Sequence, residues 1–258
     1  MKSIKNIAIA GTGNVATTLA NNLSNKGFSL TGIWSRNFLN AQTLAGSYNS
    51  EAFSNIKDLT NKADLIIIAV TDSAIEQVAR SLGEYDGIVV HTAGSVNMDV
   101  FKGIFKHYGV FYPLQTMSKE IPVSLSEVPF FLEASSEDNL TELKRTAQIL
   151  SLKVYEADSQ QRVLLHTAAV FTGNYSNLMY IIGNELLKLS GLPPEVLFPL
   201  IIETSYKAVT GDPLQFQTGP ARRNDFITIE KHIEALASLP EYAELYRLLA
   251  NIIIKKYE

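Results

Sequence analysis

Along roughly the first 155 positions, apolar residues recur in short β-branched runs separated by stretches with helical spacing. That alternation predicts a parallel α/β sheet. Residues 4–10 read as the first strand, and residues 14–27 as a helix stopped by Gly27. Residues 28–35 form the second strand. Residues 63–70, ADLIIIAV, are almost wholly apolar, as in a central strand buried on both faces. Ser73 and Glu76 then have the spacing of a capping box, so a helix is expected to begin there. Further strands are predicted at 87–92, 109–113, 129–134 and 152–157, with a helix over 137–150.

From about Asp158 no strand pattern remains. Long helical patterns follow, broken by SGLPP at 190–194 and by TGDPLQFQTGP at 210–220. The first, from Gln160 to Leu189, would extend about 45 Å at ~1.5 Å per residue. The expected organisation is a doubly wound α/β domain over 1–157 and an all-helical domain over 158–258.

Composition narrows the chemistry. The 258 residues suffice for a real core. Without cysteine there is no disulfide, thiolate nucleophile or Cys-ligated metal, which fits a reducing cytoplasm. The four histidines, His91, His107, His166 and His232, lack zinc-type spacing, so no metal site is expected. A net charge of −4 argues against nucleic-acid or anionic-membrane partners. The apolar runs fall well short of the ~20 residues a membrane span needs. The N-terminal run is too short for a secretory core and leads straight into a glycine turn.

That turn is GTGNVA. Gly11, Gly13 and Ala16 make a G-x-G-x-x-A pattern between a strand and a helix, the context in which it signals a Rossmann-type dinucleotide site. Gly11 permits the tight turn, Gly13 lets the backbone approach a pyrophosphate, and Ala16 packs helix against strand. Thr12, Asn14 and Val15 complete the loop, whose helix N-terminus offers unpaired N–H donors. At the end of the second strand an NAD site usually carries a carboxylate for the ribose 2′-hydroxyl. This chain has Ser35, Arg36 and Asn37 instead. A guanidinium suits a 2′-phosphate, so NADP(H) is favoured, with a solvated loop cation as the alternative for Arg36. Val70, Thr71 and Asp72 follow the central strand at its carboxyl end, where such folds bind ligands. Asp72 equally fits a helix cap.

Taken in order, GTGNVA, WSRN, AVTDSAI, HTAGSV, YPLQTM, HTAAVFTGNYSN and TGPARRND resemble a family described as NADP oxidoreductases. Its members join a Rossmann domain to a helical domain of unknown function (number 2520). The layout is more distantly similar to pyrroline-5-carboxylate reductase, ketopantoate reductase and the 6-phosphogluconate/3-hydroxyacid dehydrogenases. Family members often carry His-Ser-Gly and His-Pro-Leu at the two middle motifs. This chain has Thr92-Ala93-Gly94 after His91, and Tyr112 where the second histidine would stand.

In the distant dehydrogenases the long helix carries a proton-donating Lys and a substrate-orienting Asn. Here it carries His166, then Asn174 and Asn177. Helical spacing, seven and then four residues, places His166, Gly173 and Asn177 on one stripe, flanked by Asn174. His166 is the candidate acid and Asn174 the candidate orienting group, with Asn177 nearby; the alternative for His166 is a backbone hydrogen bond. In TGPARRND, Arg222 is a candidate for an anionic substrate, with ion pairing as the alternative, and Asn224 or Asp225 can cap the next helix.

The reading is an NADP(H)-dependent oxidoreductase for a small polar keto acid, hydroxy acid or imine held in a cleft between domains. The alternative is a dinucleotide-binding sensor or scaffold without turnover. The resemblance further implies a homodimer through the C-terminal helices.

Overall fold

The computed structural model describes residues 3–258, in a first compact unit ending at Gly173 and a second running Asn174–Glu258. The first unit holds one eight-stranded sheet. Its strands are β1 (Asn6–Ala10), β2 (Ser29–Trp34), β3 (Ala52–Phe53), β4 (Leu65–Ile68), β5 (Ile88–His91), β6 (Tyr108–Pro113), β7 (Phe130–Ala134) and β8 (Val154–Glu156). Their order is β3-β2-β1-β4-β5-β6-β7-β8. The chain builds outward from β1 to β3, then crosses to β4 on the other side of β1. The carboxyl ends of β1 and β4 are therefore the topological switch point, where a crevice opens.

All pairings are parallel except β6 with β7, which run antiparallel. The sheet is thus the expected parallel, doubly wound type, with one antiparallel pair added at β6 and β7. A parallel return needs a crossover element, usually a helix, and residues 114–129 form none, so the chain turns straight back. The two-residue β3 also has no counterpart in the apolar pattern, being too short to show an alternation.

Helices α1 (Asn14–Asn25), α2 (Phe38–Gly46), α3 (Ile75–Leu82), α4 (Glu137–Leu150) and α5 (Ser159–Ala169) belong to this unit. Alternate residues of the strands feed two cores. Ile7 and Ile9 join Leu19 and Leu143 in one, and Ala8, Ile66 and Ile68 join Val78 and Phe101 in the other. All four residues of β4 are fully buried, as its unbroken apolar run implied. The turn after α1 is also as read: Gly27 has φ +87°, and Phe28 donates to the Leu23 carbonyl at 3.1 Å. The capping box at Ser73 and Glu76 does not form. A 3-10 turn over Asp72–Ala74 precedes α3, which starts at Ile75 without a side-chain cap.

α5 begins in a capping box of its own. Asp158 accepts from the Gln161 backbone at 2.8 Å, and the Gln161 side chain accepts from the Asp158 backbone at 2.9 Å. The helix then opens into a π-helical turn over Val170–Tyr175. A π turn breaks the 3.6-residue period, so the single stripe expected for His166, Gly173 and Asn177 no longer follows from their spacing. The first unit thus extends past the end of the strands through α5 to Gly173.

The second unit is all helical: α6 (Ser176–Ser190), α7 (Phe198–Thr210), α8 (Pro213–Phe216), α9 (Phe226–Ala235) and α10 (Pro240–Tyr257). α6 ends where SGLPP breaks the helical pattern, with Gly191 in the left-handed conformation. Ile229, Ile233, Leu236, Ala243 and Ala250 make its buried core. Neither α6 nor α7 buries a single residue. Among the described residues no helix is long and apolar enough to cross a membrane.

Candidate functional site

A cavity of about 620 Å³ lies at the carboxyl ends of β1, β2 and β4, entirely within the first unit. Gly11, Thr12, Gly13, Asn14, Val15, Ser35, Arg36, Val70, Thr71 and Asp72, the residues expected to bind dinucleotide, all line it. Trp34, Asn37, Asn40, Thr92, Ala93 and Lys119 line it as well and were not foreseen. Thr92 and Ala93 follow β5, so strand-end position alone would have found them. Lys119 sits in the irregular 114–129 segment, where no periodicity points to it.

The two motif glycines do different work. Gly11 has φ +132°, and a Cβ there would collide with the Ala69 carbonyl beyond β4. Its N–H donates to the Trp34 carbonyl at 2.7 Å, tying the loop to β2. At Gly13 an added Cβ would meet nothing within 4 Å; the backbone there faces open space. Gly13 is also the N-cap of α1, and it leaves the helix without a side-chain cap or a first-turn acid. An uncapped helix end on a cavity, with its N–H groups unclaimed by side chains, fits a pyrophosphate. Ala16 is fully buried beneath it.

On the β2 side, Thr12 Oγ1 donates to Ser35 Oγ at 3.2 Å. Asn37 is committed to capping α2, accepting from the Leu39 backbone at 3.1 Å. Arg36 is exposed and joins no ion pair among the described residues, which leaves its guanidinium available to an anion. Asp72 caps neither the 3-10 turn nor α3, both of which start without a side-chain cap; its carboxylate instead accepts from the Ser95 hydroxyl.

Beside this cavity the 92–97 loop meets α5. His166 Nδ1 lies 3.0 Å from the Tyr112 hydroxyl, at the end of β6. The half-buried His166 therefore pairs with a side chain rather than with a backbone carbonyl. One turn earlier Arg162 is fully buried, ion-paired with Glu133 of β7 and donating to the Val96 carbonyl at 2.9 Å. No motif announced Arg162; in the sequence it is one more polar residue at the start of a helix. His91 is buried too. Its Nδ1 accepts from the Ala93 backbone at 3.2 Å, and among the described residues no hydrogen bond to its Nε2 is formed. Burial first, and the Arg162 charge second, hold its imidazole down at about 3, against a smaller opposing pull from the Asn97 backbone. Among the described residues no group of His, Asp or Glu could hold a metal ion.

Residues 6–94 match the family model described as "NADP oxidoreductase coenzyme F420-dependent", and residues 128–253 match the domain of unknown function DUF2520. A Bacteroides fragilis protein named as an NADP oxidoreductase is 42% identical over 97% of this chain and 98% of its own, with a TM-score of 0.92. The chain belongs to this NADP oxidoreductase family. Its cofactor is accordingly NADP(H). The fold is shared more widely. A pyrroline-5-carboxylate reductase from Coxiella burnetii superposes at a TM-score of 0.61 with 16% identity, over 99% of this chain and 98% of that one. A reductive aminase from Aspergillus terreus, solved with NADPH4, cyclohexanone and allyl amine, superposes at 0.68 with 16% identity, over 98% and 93%. No curated protein matches the chain.

In this oxidoreductase the remaining expected residues lie in the second unit. Asn174 and Asn177 are exposed. Arg222 is exposed as well, with its guanidinium 4.0 Å above the Tyr257 ring. Asp225 caps α9, as one of the two candidates, accepting from the Thr228 backbone at 3.1 Å. His232 pairs with the Tyr246 hydroxyl at 2.8 Å.

Proposed function

We propose that the chain holds NADP(H) in the cavity at the ends of β1, β2 and β4 and exchanges hydride with a small polar substrate, a keto acid, hydroxy acid or imine. One observation carries the placement of the cofactor: the uncapped α1 end and the unpaired Arg36 border the same cavity. The α1 N–H groups take the pyrophosphate, and Arg36 with Ser35 takes the 2′-phosphate. Lys119 adds a second cation on the cavity wall. When bound, the cofactor supplies the hydride.

Hydride arriving at a C=O or C=N carbon drives an electron pair onto the heteroatom. A hydrogen-bond donor placed there lowers the barrier. His166 is that donor, and it lies next to the loop whose residues Thr92 and Ala93 line the cofactor cavity. Asn174, Asn177 and Arg222 are proposed as polar groups for the substrate, on their chemistry and exposure.

The chain is further proposed to work as a homodimer through its C-terminal helices. Phe198, Ile202, Tyr206 and Val209 form one stripe along α7, at 51%, 68%, 61% and 83% exposure. An apolar stripe of that length needs cover, and a second copy supplies it.

The test is a titration of wild type and Arg36→Ala with NADPH and NADH. Removing a charge-assisted phosphate contact costs about 1.5–3 kcal/mol, so NADPH should weaken roughly 10- to 100-fold while NADH is unchanged. Equal loss of both cofactors would remove Arg36 from the 2′-phosphate, and no binding of either would sink the cofactor site. Turnover is then sought by NADPH oxidation with glyoxylate and with 1-pyrroline.

A further inference from the structure

Tyr112, Gly94 and His166 meet at the carboxyl end of the sheet in a cluster that the site described above leaves without a role for two of its members. Tyr112 is 8% exposed. Its ring stands edge-on to His166, with centroids 6.1 Å apart at 71°. Gly94 lies under both rings. A Cβ there would come within 2.8 Å of Tyr112 Cζ and 2.9 Å of His166 Cβ, so glycine is what lets the two rings approach the loop. Arg162, four residues before His166 and on the same helix face, holds the other end of this loop through the Val96 carbonyl. α5 is thus fixed against the 92–97 loop at two successive turns.

The hydrogen bond between the rings has a direction. A phenol carries one proton, and the contact described for that hydroxyl is His166 Nδ1 at 3.0 Å. If Nδ1–H donated to the oxygen, the part-buried O–H would be left with solvent as its acceptor, because the hydrogen bond described for it within the protein is the one to His166. Donation from Tyr112 to Nδ1 satisfies both groups. The ring is then the tautomer with its proton on Nε2, the nitrogen that Tyr112 leaves free.

We propose that Tyr112 is a positioning residue for His166: its hydroxyl holds Nδ1, selects the Nε2–H tautomer, and so presents Nε2–H as the donor to the substrate heteroatom. The proposal rests on the role given to His166 above. In the step it serves, hydride adds to the substrate carbon and the C=O or C=N π pair moves onto the heteroatom. Nε2–H stabilises that pair by a hydrogen bond, and solvent water supplies the proton that completes the product. Tyr112 itself keeps its proton. Burial first, and Asp72 second, push the phenol up to about 12, against a smaller opposing pull from Arg162. It therefore acts through His166 rather than as the acid.

The test reads the tautomer directly, by long-range 15N–1H correlation on histidine-labelled protein with NADPH bound, the His166 signals being assigned with His166→Ala. In wild type Nδ1 should be the unprotonated nitrogen and Nε2 the protonated one. Tyr112→Phe should give a mixture of tautomers. With glyoxylate or 1-pyrroline as probe, its kcat should fall roughly 10-fold or more while NADPH affinity is unchanged. Gly94→Ala keeps the hydroxyl but wedges the rings apart, and should give the same spectral change. A wild-type spectrum with the proton on Nδ1 overturns the proposal whatever the variants do. So does a Tyr112→Phe protein with wild-type tautomer and turnover. Normal turnover in His166→Ala would instead overturn the role of His166, on which the proposal stands.

Discussion

The two units solve the same packing problem to different degrees. In the first, β4 buries every residue and α1 buries five of its positions against the sheet. In the second, α6 and α7 span 15 and 13 residues and bury none, although α7 carries Phe198, Ile202, Tyr206 and Val209 along one side. The sheet supplies each helix of the first unit with a broad apolar surface. The small core around α9 and α10 takes only the half-buried Leu186 from α6 and buries no residue of α6 or α7. Apolar periodicity reports that a face wants cover; it does not say whether the same chain provides it.

The sharpest way to break this contrast is to charge the α7 stripe. In Ile202→Glu/Val209→Glu a twofold dimer would lose four buried apolar side chains, each worth about 1.5–3 kcal/mol. Association should weaken by roughly 6 kcal/mol or more, read by sedimentation equilibrium, with the sheet unit's NADPH binding retained. A wild-type protein that sediments as a monomer would remove the dimer altogether.

The next largest effect lies within the first unit. Glu133→Ala strands the fully buried Arg162 guanidinium and should cost about 3–5 kcal/mol in urea unfolding. The double variant Glu133→Leu/Arg162→Met should recover most of that loss, because a packed apolar pair needs no charge partner.

The smallest effect is a pH slope. The folded protein holds His91 at about 3, against an ordinary 6.5. Below pH 6.5 the unfolded chain takes up a proton that the folded chain refuses, so stability falls as the pH drops toward 3. Between pH 6.5 and 5.5 the loss should be about 1 kcal/mol, and His91→Asn should flatten it in thermal melts followed across that range.

Much of the fold was legible because the sheet is buried on both faces. Runs such as ADLIIIAV have no other stable place, and α4 begins and ends where its pattern did. The G-x-G-x-x-A loop was legible because its pattern stands between a strand and a helix, with Gly11 in a conformation that favours glycine. What escaped depends on contacts distant in sequence. Arg162 meets Glu133 and Val96 only after the sheet has formed, and Tyr112 meets His166 across 54 positions. The π turn escaped because residues 170–175, VFTGNY, are weak helix formers whose composition does not distinguish a π turn from an ordinary helical one.

The two glycines of GTGNVA also answer to different masters. At Gly11 the missing side chain makes room for another strand's backbone, so the fold itself forbids any replacement. At Gly13 nothing in the protein objects to a larger residue; only a ligand would. A lineage that abandoned its cofactor while keeping this architecture would hold on to the first glycine and let the second drift. In the proposed site the pair separates, within one short loop, a demand of the chain at Gly11 from a demand of the ligand at Gly13.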